Sequence, residues 1–397
     1  MGKLALEDLD LKNKRVLMRV DFNVPMEKGK ITDDSRIVAS LPSIQYVLKN
    51  GASVVLMSHL GKPKGKPEAQ FSLAPCAKRL AEILKQPVQM APDCVGPEVE
   101  KLATGLKPGQ VLLLENLRFH TGEEAPEKDP AFVSQLSKLG DLYVNDAFGT
   151  AHRAHASTAA IAKYFPNKAA MGFLMEKEIK ELSPLLHNPK RPFYAILGGA
   201  KISTKIGVIK KLLDKVDALF VGGGMTFTFL KAQGIEIGNS LCEDEQLQTA
   251  RDLLHQSGKK IHFPIDLIIA DAFSNEAQKK TVLLKEGIPS GWQGMDIGPK
   301  TIAEWSKSLE QAATVFWNGP LGVFEMPCFA VGTRAIAELL AKSKAKTIVG
   351  GGDSVAAIQQ MGLSDKFSHL STGGGASLEF LEFGHLPGID ALSDKPK

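Results

Sequence analysis

Short apolar runs that do not alternate, each followed by an amphipathic stretch, recur along the whole of this chain, and no other feature limits its fold as much. The first half carries "RVLMRV" (15–20), "SVVLMS" (53–58), "VLLLENL" (111–117) and "DLYVNDAF" (141–148). The second carries "FYAILGG" (193–199), "ALFVGGG" (218–224), "IHFPIDLIIA" (261–270), "TVFWNGP" (314–320), "KTIVGGG" (346–352) and "FSHLSTGGG" (367–375). A strand with one wet face alternates apolar and polar residues; a strand covered on both faces by helices does not. The intervening stretches, such as "SRIVASLPSIQYVLKNG" and "EDEQLQTARDLLHQSGKK", have helical spacing. The second opens on acids and closes on Gly258 and lysines, which suits the helix dipole at both ends. Strand–helix alternation through both halves predicts an α/β fold built on parallel sheets.

At 397 residues the chain is too long for one ordinary core, so two domains are expected. The join falls near "MEKEIKELSPLLHNPKRP" (175–192), where Ile179, Leu182, Leu185 and Leu186 share a helical face and Pro189 and Pro192 end it. The expected division is a first domain over 1–174, a connecting helix and hinge over 175–192, a second domain over 193–385, and a tail over 386–397 that packs back on the first domain. The cysteines, at 76, 94, 242 and 328, are too far apart for a zinc knuckle or a redox pair and too few for a disulfide framework. That predicts a reducing, cytoplasmic compartment. The opening "MGKLALEDLDLKNKR" has acids among its apolar residues, and no run of about 18 apolar residues occurs, so neither a secretory signal nor a membrane span is expected. The net charge of +4 lies entirely in residues 1–170, with 23 Lys+Arg against 19 Asp+Glu; residues 171–397 carry 25 of each. Such an excess is too weak for a nucleic-acid surface and suits one local site for a small anion.

In open α/β sheets, ligands bind beyond the carboxyl ends of the strands. In the first half those ends present charged and polar side chains: Asp21 and Asn23, Ser58 and His59, Glu115, Asn116 and Arg118, Asn145 and Asp146. In the second half they present glycines, at "VGGGM", "VGGGD" and "TGGGA". Glycine turns that open a helix let backbone N–H groups approach phosphate, or simply pack tightly. Asp353 or Ser354 is placed to cap its helix. "LGGAKISTKIG" sets Lys201 and Lys205 four apart at an expected helix start, on one face, either solvated or with an anion between them. His152 and His155 make a poor metal pair without a third ligand, and Arg153 is the better anion candidate. Neither G-x-x-x-x-G-K-[ST] nor G-x-G-x-x-G occurs, which argues against a Walker-type nucleotidase and against a dinucleotide-dependent dehydrogenase.

Nine segments in order resemble the phosphoglycerate kinase family: "RVDFNVP" (19–25), "DSRI" (34–37), "SHLGKPKG" (58–65), "ENLRF" (115–119), "NDAFGTAHRAHAS" (145–157), "LGGAKISTKI" (197–206), "WNGPLGVFE" (317–325), "GGGDSVAAI" (350–358) and "STGGGASLEFLE" (371–382). The resemblance implies two Rossmann-like three-layer domains facing a cleft. It implies reversible, Mg²⁺-dependent phosphoryl transfer between ATP and the carboxylate of 3-phosphoglycerate, giving ADP and 1,3-bisphosphoglycerate, by a monomer without nucleic-acid or membrane partners. The first domain would bind the phosphorylated acid through Asp21, Asn23, Arg36, His59, Gly61, Lys62, Arg118 and Arg153. In the second, Lys201 and Lys205 would meet the nucleotide phosphates and Glu325 the ribose. Gly222 and Gly223 would border the adenine. Gly351, Gly352, Asp353 and Ser354 would receive the phosphate end, with Asp353 at the magnesium. Arg36 and Lys201 would carry catalysis. Retention of Arg36, Lys201, Lys205 and Asp353 argues against a non-catalytic scaffold.

The chain departs from the family pattern at two positions. Ser354 stands where threonine is usual and keeps the hydroxyl. Lys62 stands where arginine is usual, a flexible point charge in place of a planar fork, while Lys64 and Lys66 read as ordinary loop lysines. Lys62→Arg is expected to lower KM for 3-phosphoglycerate with little change in kcat; steady-state kinetics showing an unchanged or higher KM would contradict this. Substrates held on separate domains must also be brought together, so both ligands should compact the particle more than either alone. Small-angle scattering checks this, and identical profiles for the free and doubly liganded protein would count against it.

Overall fold

The computed structural model describes residues 2–396; Met1 and Lys397, the outer ends of the expected first domain and tail, lie outside them. The chain divides into two compact units, the first made of residues up to Lys180 together with His385 onward, the second of Glu181–Gly384. No helix among the described residues is long and apolar enough to cross a membrane.

In the first unit the strands are β1 (Arg15–Arg19), the short antiparallel pair β2 (Met26–Glu27) and β3 (Lys30–Ile31), β4 (Ser53–Met57), β5 (Val88–Met90), β6 (Val111–Leu113), β7 (Leu142–Asn145) and β8 (Ala169–Met171). All but the short pair form one parallel sheet in the order β5-β6-β4-β1-β7-β8. Val16, Met18, Val54, Leu56, Val111 and Leu113 join one core cluster, with Ile37, Ile44 and Val47 of helix Ser35–Lys49 and Cys76 and Leu80 of helix Ala74–Leu84. The residues between them, Leu17, Val55, Leu112 and Tyr143, are also fully buried. Both faces of the sheet are therefore dry, which is why the runs showed no alternation. Each such Val or Leu contributes about 1.5–3 kcal/mol by leaving water. The outer edge at β8 is covered by chain from both ends: Met171 N–H donates to Leu4 O at 2.8 Å, Ser393 N–H to Ala169 O at 3.0 Å, and Lys395 N–H to Gly2 O at 2.8 Å. Such cover removes an edge open to pairing with other chains.

The second unit holds β9 (Phe193–Leu197), β10 (Ala218–Val221), β11 (Ile261–His262), β12 (Asp266–Ala270), β13 (Lys279–Leu283), β14 (Gln293–Ile297), β15 (Thr314–Asn318), β16 (Lys346–Gly350) and β17 (His369–Leu370). One parallel sheet runs β11-β10-β9-β15-β16-β17. A second, antiparallel sheet, β13-β12-β14, was not anticipated. The run 261–270, read as one strand, splits at Pro264: β11 joins the parallel sheet and β12 the antiparallel one. Proline cannot donate to a ladder, and the buried Asp266 carboxylate is drawn to the start of helix Pro299–Leu309, accepting from Thr301 N–H at 2.7 Å and Lys300 N–H at 3.0 Å.

In each unit the chain builds outward from the first strand on one side, then returns to its other side. The switch point lies between β1 and β7 in the first unit and between β9 and β15 in the second. A crevice opens at such points, beyond the strands' carboxyl ends.

Candidate active site

In the second unit the switch point is filled by a buried ammonium. Lys205 Nζ donates to Gly198 O at 2.5 Å, to Asn318 Oδ1 at 2.6 Å and to Asn318 O at 3.1 Å. This corrects the expectation of two lysines on one helical face. The helix begins only at Ile206, and residues 201–205 are a turn. Carbonyl groups draw Lys205 inward, whereas Lys201 stays exposed. Burial pushes the Lys205 amine down from 10.5 to about 8, against the opposing attraction of Asp353. Between those values the unfolded chain binds more protons than the folded one, so this group's contribution to stability rises with pH across that window.

Ahead of Lys205 lies a cleft of about 350 Å³ lined by Lys201, Asn318, Gly352, Asp353, Gly374 and Gly375, among others. Two helices, Gly352–Gln360 and Gly375–Phe383, present their first turns to it. A Cβ on Gly352 would meet nothing within 4 Å, so the glycine turn that opens this helix borders open space; a helix N-terminus at such a turn is the arrangement that receives phosphate. Ser354 does not cap its helix, as had been expected of it or Asp353; its Oγ accepts from Gly319 N–H at 2.6 Å and ties β15's turn to the glycine turn. Asp353 is exposed at the cleft.

A second cavity of about 340 Å³ adjoins this cleft and shares Gly199, Ala200, Pro320 and Asp353 with it. Its walls are Phe227, Leu241, Leu267, Met295 and Leu321, with Gly223 and Glu325 at its margin. The "VGGGM" turn is thus an apolar-pocket wall as well as a packing device. Gly223 has φ +66°, and a Cβ there would come within 2.5 Å of Gly199 N. An apolar slot opening onto a cationic, glycine-lined cleft has the shape of a base-and-phosphate ligand.

In the first unit the polar residues past β1 and β4 interlock. Arg36 Nη1 reaches Asp21 Oδ2 at 2.5 Å. Burial pushes the Asp21 carboxyl up, but Arg36 chiefly, helped by Arg19 and the Asn23 N–H, brings it below its ordinary value. Asn23 Oδ1 accepts from Gly61 N–H at 2.9 Å, and Arg118 Nη1 donates to Gly61 O at 2.9 Å. The loop after β4 therefore has two parts. Ser58, His59, Leu60 and Gly61 are pinned, with Leu60 N–H on Asn116 Oδ1 at 3.2 Å, while Lys62, Lys64 and Lys66 are exposed. Arg153 is exposed on the turn after Phe148–Thr150.

Sequence reasoning missed the group behind them. Arg19, at the end of β1, is 1% exposed. Its Nε donates to Ser157 Oγ at 2.8 Å, Nη1 to Val20 O, and Nη2 to His59 Nδ1 at 3.1 Å. Ser157 Oγ passes the chain on to Glu123 Oε1 at 2.6 Å. Burial lowers His59 well below the ordinary histidine value, with Arg19 adding to it, and lowers His155 to about 4, with Arg118, Arg19 and Arg153 adding. Both imidazoles are neutral near pH 7, and the positive charge belongs to the arginines. A charged residue inside an apolar run, as Arg19 stands in "RVLMRV", was the available signal.

A phosphate-bearing ligand seated at Lys205 stabilises the ammonium, so binding should take up protons at and above a pH of about 8 and take up none well below it. Calorimetry of ADP binding in buffers of different ionisation enthalpy reads this; uptake that does not vary with pH, or that persists in Lys205→Gln, would contradict it.

The comparisons agree with this geometry. The family model described as phosphoglycerate kinase matches residues 6–384. The chain is 56% identical over 398 residues to the phosphoglycerate kinase of Moorella thermoacetica, covering 100% of both chains, and 52% identical over 403 residues to that of Thermosipho africanus, covering 100% of this chain and 99% of the relative. The solved phosphoglycerate kinase structures from Coxiella burnetii (45% identity, TM-score 0.88) and Pyrococcus horikoshii (35%, 0.86) each match over 98% of both chains. A parallel-sheet unit with an arginine cluster and another with a nucleotide-shaped crevice are thus found in a sequence alike from end to end: the chain belongs to the phosphoglycerate kinase family.

Proposed function

We propose that the two units divide this family's reaction, phosphoryl transfer between a nucleotide and a carboxyl group in glycolysis, between acceptor and donor. The first unit binds 3-phosphoglycerate or 1,3-bisphosphoglycerate through Asp21, Asn23, Arg36, His59, Gly61, Lys62, Arg118 and Arg153. The second binds ATP or ADP through Lys201, Lys205, Gly222, Gly223, Glu325 and the 351–354 turn. One observation carries this division: the arginine cluster lies wholly in one unit, and the crevice with two glycine-opened helices wholly in the other. Guanidinium forks suit the carboxylate and phosphate of the acid. An apolar slot beside helix N-termini suits a nucleotide.

A carboxylate is already a nucleophile near neutral pH, so the reaction needs no general base. Catalysis is then positioning and neutralisation of charge on the transferring group. Arg36 from one unit and Lys201 from the other supply the charge, and the N–H groups at 351–354 and 373–375 add fixed dipoles. His59, with Nδ1 accepting from Arg19, carries its proton on Nε2 and offers it to the substrate. Asp353 fits a magnesium site: it is an exposed, hard oxygen donor that makes no ion pair among the described residues, at the mouth of the phosphate cleft. Mg²⁺ held there with the nucleotide would offset phosphate charge, through one carboxylate and phosphate oxygens. The chain is read as cytoplasmic and monomeric, with no nucleic-acid or membrane partner.

Turnover is measured with ATP, Mg²⁺ and 3-phosphoglycerate, the product being reduced by an auxiliary dehydrogenase. Arg36→Ala should lose about 10²–10³-fold in kcat, as for loss of one transition-state donor, while ADP binding stays intact. Undiminished turnover in Arg36→Ala, or a phosphorylated enzyme that transfers on to 3-phosphoglycerate, would overturn direct transfer by these groups.

A further inference from the structure

Three unlike donors converge in the first unit away from the groups just described. Asp93 and Cys94 follow β5, and His120 follows the single turn Leu117–Phe119. A carboxylate oxygen, the Cys94 Sγ and an imidazole nitrogen all lie within 4.8 Å of one another. His120 Nε2 is 2.6 Å from Asp93 Oδ1. The His120 ring is stacked on Phe132, centroids 4.8 Å apart at 21°, so its edge stays turned toward the acid. The thiol is buried and donates only to Glu115 O, at 2.9 Å. The Asp93 and His120 side chains are 46% and 27% exposed, so the cluster opens to solvent on one side.

We propose that Asp93, Cys94 and His120 form a site for a thiophilic divalent cation, zinc being the best fit. Thiolate, imidazole and carboxylate are zinc's donor set, and three protein ligands with an open fourth position complete a tetrahedron with water. Two ligands with zinc bonds of about 2.0–2.1 Å stand about 3.3 Å apart in that geometry. The cation enters by parting the His120–Asp93 pair, now 2.6 Å apart, and by drawing in the Cys94 Sγ, which lies within 4.8 Å of the other donors, to about 3.5 Å. As the Sγ–metal bond forms, the S–H bond breaks and its proton goes to buffer; no electrons move. The alternative is an ordinary histidine–aspartate pair beside an inert thiol.

The occupied site would tie the loop after β5 to the segment 115–120, which carries Arg118. It owes nothing to the magnesium that accompanies nucleotide, which takes oxygen donors only.

The test uses the full chain, stripped with chelator, kept reduced, free of nucleotide, and titrated with Co²⁺. One equivalent should bind, with a thiolate-to-cobalt charge-transfer band and tetrahedral d–d bands that one equivalent of Zn²⁺ abolishes. Both should vanish in Cys94→Ser and persist in the Cys242→Ser/Cys328→Ser double variant. His120→Gln, on the partly exposed side, should weaken Co²⁺ binding at least about 10-fold. No charge-transfer band, a band that survives Cys94→Ser, or an affinity unmoved by His120→Gln would overturn the site.

Discussion

Parallel sheets dry on both faces leave one place for chemistry, the ends of their strands. Inside the sheet most side chains are apolar, and the backbone groups are spent on the ladder. At the carboxyl ends the ladder stops, the chain turns, and polar groups can converge from several strands at once. Both units follow this rule with different materials. In the first, the ends of β1 and β4 deliver Asp21, Asn23, His59 and the buried Arg19. In the second, the ends of β9, β15 and β16 deliver Gly198, Asn318 and the 351–354 turn.

Each unit also buries one cation at its switch point, and each handles the cost of desolvation its own way. Arg19 keeps its charge because a carbonyl, a hydroxyl and an imidazole meet its donors and Glu123 balances it through Ser157. The guanidinium cannot be discharged at any ordinary pH, so it serves as a fixed post that sets the tautomer of His59. Lys205 donates only to neutral oxygens, and burial, outweighing the attraction of Asp353, lowers its amine to about 8. One buried cation keeps its charge; the other sits close to losing its proton.

Much of the candidate site was legible because its signals are local. Glycines at 222–224, 350–352 and 373–375 mark turns, and "RVDFNVP", "ENLRF" and "STGGGAS" place side chains a fixed number of residues past a strand. What was missed is non-local. The antiparallel sheet β13-β12-β14, whose Leu267 and Met295 wall the apolar slot, was hidden because β12 follows β11 within one mostly apolar run, and the break at Pro264 does not tell which partners each half will pair with. Helical spacing put Lys201 and Lys205 side by side, yet the carbonyls of Gly198 and Asn318 outweighed that local preference.

The sequence by itself determined the fold class and the residues that crowd the strand ends. Periodicity, turn chemistry and charge act over a few residues and need no knowledge of what lies across the sheet. The tertiary structure alone decided which strand ends adjoin, and so which groups face one another. Asn318 meets Lys205 across 113 residues, Ser157 meets Arg19 across 138, and His120 meets Asp93 across 27, beside Cys94. Burial, pKa and coordination depend on those encounters, and sheet order sets them.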